Sequence, residues 1–176
     1  CRRLAKLGYL TIVPEIYARF PDYPKMATDM AVVRAAVAAT ADAQVMADMD
    51  AAFTWALANK GDANRVAVIG LCRGGRNTWL YAIHRLQLRA AVAWYGNVLG
   101  ATSEIQPKTV TDLADQLKCP LLGLYGGADT GIPIASVETA AAKARAAGQK
   151  VEIVVYPDAP HGFHADYRPS YRKDAA

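Results

Sequence analysis

Short apolar runs alternate along the chain with longer segments whose apolar residues recur every three or four positions. A continuous short apolar run is typical of a buried parallel strand, and the longer spacing is typical of an amphipathic helix. Strands are predicted at Tyr9–Val13, Val66–Ile69, Ala90–Trp94, Leu121–Tyr125 and Val151–Tyr156. Helices are predicted at Cys1–Leu7, Thr28–Ala39, Gln44–Asn59, Gly74–His84, Leu113–Leu117 and Ile134–Ala147. The alternation predicts an α/β fold, a mostly parallel sheet with helices on both faces.

The strand predicted at Val66–Ile69 leads into a Gly-x-Cys-x-Gly turn that is followed by a helix. This is the pattern of a nucleophile elbow, with Cys72 where serine is more usual. We expect the tight turn to leave no room for a Cβ at the positions occupied by Gly70 and Gly74. Such a turn would bring the Cys72 sulfur to the start of a helix, where a thiolate is favoured. A lone cysteine is also commonly a small core residue, so the interpretation requires a base elsewhere in the chain.

Two more predicted strands end close to residues that suit this chemistry. Asp129 stands in G-G-A-D after one strand, and His161 stands in D-A-P-H-G-F after another. The chain order nucleophile, acid, histidine is that of the triad in α/β-hydrolase folds. A thiol needs a neighbouring imidazole to ionise at neutral pH, and the imidazole needs a carboxylate to fix its tautomer. The alternatives are that Asp129 only holds its own turn and that His161 is a surface histidine.

The other histidines and nearby acids are weaker candidates. His84 is predicted at a helix end and His164 within a loop, so both are interpreted as bystanders. Asp158 and Asp166 lie too close in sequence to His161 for an acid carried by a different strand.

Composition excludes several classes of function. The 176 residues suit one domain spanning 1–176, with 53% hydrophobic and 20% charged residues. The net charge of +4 comes from scattered basic residues, so no nucleic-acid surface is predicted. No apolar run approaches the ~20 residues of a membrane-spanning helix. The chain has three cysteines, Cys1, Cys72 and Cys119, and their spacing is not that of a metal site. The odd number argues against a framework of disulfides, and it predicts a reducing, cytoplasmic compartment.

On these motifs the sequence resembles the dienelactone hydrolase family. The shared segments are the elbow G-L-C-R-G-G, the G-x-x-D segment ending at Asp129, the P-H-G-F segment containing His161, and P-E-I-Y-A-R near the start. The resemblance covers nearly the whole chain, and it implies an α/β-hydrolase fold. It also implies a hydrolase of small lactones or carboxylic esters that uses no metal and no organic cofactor.

The resemblance further implies a role for each site residue. Cys72 is expected to be the nucleophile, His161 the base and Asp129 the acid that orients it. The Arg73 backbone N–H is expected in the oxyanion hole, and Arg19 is expected to help hold a substrate carboxylate.

The sequence departs from the family pattern in two respects. A second family arginine, four residues past the histidine, falls on Ala165. A family strand and a Glu-containing loop that precede the first helix cannot be assigned, so an N-terminally truncated α/β-hydrolase domain is expected. That strand would lie between those predicted at Tyr9–Val13 and Val66–Ile69, and its loop would supply the second oxyanion N–H.

Two alternatives to a hydrolase stay open on the sequence. One is an inactive relic or small-molecule binding module of the same fold. The other is a redox-sensing thiol at Cys72, although Cys119 in a buried strand context is a poor resolving partner.

Overall fold

The computed structural model describes residues 2–23, 25 and 29–176 of the chain. Two compact units are recognised, and each is described by itself below. The first comprises Cys1–Ala63 with Ser103–Pro107, and the second comprises Asn64–Thr102 with Lys108–Ala176. The interpretation of residues 1–176 as one domain stays a prediction.

The second unit is built on a four-stranded parallel sheet whose strands follow one another in sequence order. The strands are β1 Ala67–Leu71, β2 Ala90–Trp94, β3 Leu121–Gly126 and β4 Val151–Tyr156. Parallel neighbours require crossover connections, and the helical segments of this unit supply them. The predicted parallel α/β architecture is therefore confirmed.

The helices lie close to their predicted positions. They are α1 Arg2–Lys6, α2 Met30–Ala39, α3 Asp42–Ala58, α4 Arg73–His84, α5 Val110–Leu113 and α6 Ile134–Ala146, with 3₁₀ turns at Ala63–Arg65 and Ala114–Gln116. Cys1 and Thr28, which begin two of the predicted helices, lie outside the described residues. The helix predicted at Leu113–Leu117 is instead an α-helix that ends at Leu113, followed by a 3₁₀ turn. It begins earlier because Thr109 and Asp112 form a reciprocal capping box, a signal present in the sequence.

The α2 and α3 helices of the first unit are joined by a turn that Gln106 holds. Its side-chain amide donates hydrogen bonds to the backbone oxygens of Val37 (2.7 Å) and Thr40 (2.9 Å). Within the described ranges no single helix is long and apolar enough to cross a membrane. In the described part of the chain, α2 and α3 meet the length and composition requirement as a pair, and they are bent by 89° at the break between them.

The core of the second unit connects α4 to the middle of the sheet. Trp79 of α4 and Tyr125 of β3 are fully buried, and the indole N–H of Trp79 donates to the Tyr125 hydroxyl (3.1 Å). That hydroxyl donates in turn to the backbone oxygen of Gly96 (3.0 Å), in the segment after β2. This chain of hydrogen bonds fixes α4 against the carboxyl ends of β2 and β3.

The prediction of a strand at Tyr9–Val13 is wrong. The segment has no strand geometry and pairs with no strand in the described part of the chain. Val13 is 68% exposed, and Tyr9 and Leu10 are also exposed. An apolar run becomes a strand only when a neighbour completes its backbone hydrogen bonds, and no such neighbour is present among the described residues.

The elbow strand is also less buried than predicted. It runs from Ala67 to Leu71 rather than over Val66–Ile69, and Ile69 is 51% exposed. The reason is that β1 is an edge strand of the sheet formed by the described residues. Within α3, Phe53 is buried as expected and Met46 and Met49 are half-buried, but Trp55 is exposed.

The glycine requirement at the elbow differs from the prediction at one position. A Cβ on Gly70 would collide with the backbone oxygen of Gly74, so glycine is needed at Gly70 as expected. A Cβ on Gly74 would meet nothing within 4 Å. Gly75 is the constrained residue instead, because a Cβ there would lie 2.5 Å from the Trp94 oxygen and 2.8 Å from the Gly96 Cα. The crossing of α4 over the end of β2 sets this constraint.

These contacts predict opposite effects for neighbouring substitutions. We expect Gly75→Ala to lower the free energy of unfolding by about 1–3 kcal/mol or more, since backbone atoms must move to admit the methyl group. Gly74→Ala should be neutral or stabilising by up to about 1 kcal/mol, because alanine favours a helix over glycine. Urea unfolding followed by circular dichroism measures both. Equal losses in the two variants would contradict the assignment of the close crossing to Gly75.

Candidate active site

Cys72 occupies the turn between β1 and α4. Its backbone has φ 55° and ψ −119°, a conformation that side-chain-bearing residues rarely adopt. The turn is held because the Cys72 N–H donates to the Trp94 oxygen (3.0 Å) and its carbonyl accepts from the N–H groups of Gly75 and Arg76. Cys72 is exposed, so its sulfur is accessible from solvent. Backbone strain held in place by surrounding contacts is frequent at functional sites.

Asp129 follows β3 and is 8% exposed. One carboxylate oxygen accepts from the Gly131 N–H (2.9 Å), and the other lies 2.7 Å from Nδ1 of His161. The alternative that Asp129 only holds its own turn is therefore wrong. The same carboxylate braces its own turn and contacts the imidazole.

His161 joins Asp129 to Cys72. Its Nδ1 contacts the carboxylate, and its Nε2 lies 3.1 Å from the Cys72 sulfur. The three side chains come from turns after β1, β3 and β4, which meet at the carboxyl edge of the parallel sheet. The structure thus brings together the three residues that the sequence singled out, in the order carboxylate, imidazole, thiol.

The electrostatics of the pair favour ionisation of the thiol. The hydrogen bond from His161 is the largest effect lowering the pKa of Cys72, and the imidazolium charge and the Arg73 backbone N–H lower it further. The hydrogen bond to Cys72 and the contact with Asp129 raise the pKa of His161 to about 9. Burial opposes the fall in the pKa of Cys72 without reversing it, and shifts in these opposite directions favour transfer of the thiol proton to the imidazole. By contrast, burial raises the pKa of Cys119 to about 11.

Aromatic rings that sequence reasoning missed support the imidazole. Tyr95, directly after β2, has φ 36°, and its ring centroid lies 5.1 Å from that of His161. Phe163 is fully buried, 5.2 Å from Tyr95 and 5.2 Å from Tyr156. Burial raises the pKa of the Tyr95 hydroxyl to about 12, so it stays protonated. The signal was the Trp-Tyr-Gly segment at a strand end, but no sequence rule assigns a left-handed backbone to a tyrosine.

Arg19, the predicted carboxylate-binding residue, belongs to the first unit. Both of its terminal nitrogens bond to Asp48, each at 2.7 Å. Its guanidinium fork is therefore already paired with a carboxylate.

The residues interpreted as bystanders have other contacts. His84 stacks on Tyr81 with ring centroids 5.9 Å apart, and His164 meets the Trp94 ring edge-on at 4.3 Å. Asp158 and Asp166 are exposed, and His161 contacts Asp129 instead. Among the residues that the structure describes, no cluster of three or more His, Cys, Asp or Glu side chains is arranged to hold a metal ion.

A parallel sheet with a strained cysteine elbow, and with an imidazole and a carboxylate at the neighbouring strand ends, defines an α/β-hydrolase-like protein. The model of the dienelactone hydrolase family matches residues 1–176. The chain belongs to the dienelactone hydrolase family.

Similar proteins agree with this assignment. The chain is 53% identical over 176 residues to a Salmonella typhimurium protein and 50% identical over 177 residues to one from Methylorubrum extorquens, both provisionally named carboxymethylenebutenolidase. All of this chain is matched, but it spans only 65% and 61% of those two proteins. A Klebsiella pneumoniae crystal structure, provisionally named a dienelactone hydrolase, superposes with a TM-score of 0.94 at 50% identity, over 100% of this chain and 73% of that one.

The hydrogen-bonded pair predicts a pH effect for Asp129→Asn. Loss of the carboxylate lowers the pKa of His161, so less imidazolium is present at neutral pH and the pKa of Cys72 rises. We expect the pH midpoint for alkylation of Cys72 by iodoacetamide to move up by about one unit. Mass spectrometry of the modified Cys72 peptide across pH measures it. Asp158→Asn, a loss of the same charge nearby in sequence, should leave the midpoint unchanged, and an equal shift there would contradict the assignment.

Proposed function

We propose that the protein hydrolyses small carboxylic esters or lactones through a thioester intermediate on Cys72. The observation that carries the proposal is the hydrogen-bonded series Asp129–His161–Cys72, ending in an exposed sulfur of lowered pKa. Membership of the dienelactone hydrolase family supports the ester or lactone as the substrate class. The proposal gives no role to nucleic acid or to a membrane surface.

In the first half of the reaction, the Cys72 thiolate attacks the carbonyl carbon of the substrate. The carbonyl π electrons move to oxygen, and the Arg73 backbone N–H at the start of α4 stabilises that oxyanion. When the oxyanion collapses, the carbon–oxygen bond breaks and the departing alkoxide takes the proton from His161. The products are an alcohol, or the free hydroxyl end of an opened lactone, and a thioester on Cys72.

In the second half, His161 is neutral and acts as the base. It removes a proton from a water molecule, whose oxygen attacks the thioester carbonyl. Collapse of this second oxyanion releases a carboxylic acid and restores the thiolate beside the imidazolium. Asp129 accepts a hydrogen bond from Nδ1 of His161 throughout the cycle, which holds the ring with Nε2 towards the sulfur. When the imidazole is neutral, this bond keeps the proton on Nδ1 and leaves Nε2 free to act as the base. No metal ion and no organic cofactor is needed for either half.

Substrate binding by Arg19 and a cytoplasmic location remain parts of the proposal. Arg19 would contact a substrate carboxylate only by giving up or sharing its bonds to Asp48. A reducing compartment suits the site because an exposed thiol of lowered pKa is the kind most readily oxidised.

Cysteine substitutions test the mechanism. Cys72→Ala should lower hydrolysis of an aryl ester by at least about 10³-fold and remove the initial burst of phenolate, since no thioester forms. Cys119→Ala is the matched control, because Cys119 is buried and contacts neither His161 nor Asp129 in the described structure. Stopped-flow absorbance gives the burst, and mass spectrometry gives the acylated residue. Undiminished turnover by Cys72→Ala would refute the proposal.

A further inference from the structure

Tyr95 connects the end of β2 to the loop that carries His161. Its backbone has φ 36°, and its N–H donates to the Leu124 oxygen of β3 (2.8 Å). Its side chain is buried, with the ring centroid 5.2 Å from that of Phe163 on the histidine loop. Backbone strain that surrounding contacts hold in place is frequent at functional sites, so the placement of this ring points to a role beyond packing.

The imidazole of His161 has three polar or aromatic contacts in the described part of the chain. Nδ1 lies 2.7 Å from the Asp129 carboxylate, and Nε2 lies 3.1 Å from the Cys72 sulfur. The third contact is the ring of Tyr95, whose centroid is 5.1 Å away at an interplanar angle of 65°. The His161 side chain is 37% exposed, so the rest of it faces solvent. Hydrogen bonds at the two nitrogens leave rotation about the line between them, which a packed ring restricts.

The contact at Nε2 depends on the charge of the sulfur. Before the reaction, a thiolate accepts a charge-assisted hydrogen bond from the imidazolium, which is stronger than a neutral one. In the thioester of Cys72 the sulfur is uncharged and accepts only weakly, and His161 has already given up its Nε2 proton. During the second half of the reaction, the Asp129 hydrogen bond and the Tyr95 ring are therefore the contacts that still hold the imidazole.

We propose that Tyr95 is a positioning residue whose ring holds the imidazole of His161 in place after Cys72 has been acylated. In the step that follows, a water oxygen bonds to the carbonyl carbon, a proton of that water passes to Nε2, and the carbon–sulfur bond breaks. The ring keeps Nε2 directed at this water. The proposal rests on the proposed hydrolase function, since it presupposes the thioester.

Tyr95→Leu removes the ring, and 4-nitrophenyl acetate separates the two halves of the reaction. Its leaving group departs as a phenolate without a proton from His161. When thioester hydrolysis is the slow step, kcat reports the second half and kcat/KM the first. We expect kcat to fall about ten- to a hundredfold, the scale for a catalytic group misplaced by ~1 Å, and kcat/KM to stay within about threefold. The burst of phenolate and the pH midpoint for alkylation of Cys72 should be unchanged.

Two variants serve as controls. Tyr95→Phe keeps the ring and removes the hydroxyl, which accepts a hydrogen bond from the His164 backbone N–H, and it should retain kcat within about threefold. Tyr81→Leu is the matched change away from the site, because Tyr81 is also a buried tyrosine packed against a histidine, His84, at 5.9 Å. It should leave the ratio of kcat to kcat/KM as in the unsubstituted protein.

Nuclear magnetic resonance tests the same contact without any substitution. Iodoacetamide forms a carbon–sulfur bond with the Cys72 thiolate, iodide leaves, and the sulfur becomes uncharged as in the thioester. We expect nuclear Overhauser effects between the ring protons of Tyr95 and His161 both before and after this alkylation. Their loss on alkylation would show that the ring does not hold the imidazole once the thiolate is gone, and it would overturn the proposal.

The kinetic outcomes separate this proposal from the hydrolase itself. The role of Tyr95 is overturned if Tyr95→Leu leaves kcat unchanged or lowers kcat and kcat/KM together, or if Tyr81→Leu or Tyr95→Phe lowers kcat equally. Absence of both the burst and acylated Cys72 in the unsubstituted protein would instead refute the hydrolase. If circular dichroism shows that Tyr95→Leu does not fold, the resonance experiment decides: a retained Overhauser effect supports the role of the ring, and a lost one overturns it.

Discussion

The candidate site depends on one contact, the 3.1 Å approach of His161 Nε2 to the Cys72 sulfur. This contact exists because parallel strands all end at the same edge of a sheet, so turns far apart in sequence meet there. The cysteine is supplied after β1 and the imidazole after β4, at opposite ends of the four-strand order. The site is therefore only as rigid as the two strands between them, and the Trp79–Tyr125–Gly96 hydrogen bonds brace those strands against α4.

The turn that carries Cys72 accounts for the cysteine being both exposed and strained. A reactive thiol must reach solvent, yet it must sit at the start of a helix to gain the partial positive charge there. A turn that satisfies both conditions forces Cys72 to φ 55°, at a cost that the surrounding backbone hydrogen bonds offset. Glycine at Gly70 and Gly75 lets neighbouring backbone approach closely enough for those bonds to form. The strain and the glycine pattern are two consequences of one geometric requirement.

Sequence reasoning predicted the features whose cause is local. The bounds of β2 and β4 agree with the predicted runs Ala90–Trp94 and Val151–Tyr156, because a short, mainly apolar run between two helical segments favours a parallel strand. It failed where a feature depends on contacts between segments that are distant in sequence. Tyr9–Val13 is as apolar as those runs, but it pairs with no strand in the described ranges. Gly74 and Gly75 are indistinguishable in a motif, and only the path of the chain past Gly96 separates them.

The charged side chains also show that composition does not determine how residues are arranged. A net charge of +4 is mild and suggested nothing specific. In the structure Lys143 contacts Asp115, Arg145 contacts Glu138, and Arg19 contacts Asp48. Arg168, which stands beside the histidine loop, lies over the ring of Tyr167, and no acidic partner is found for it among the described residues. What a cation can do at a site is thus decided by whether a carboxylate already lies against it, and the total charge of the chain does not carry that information.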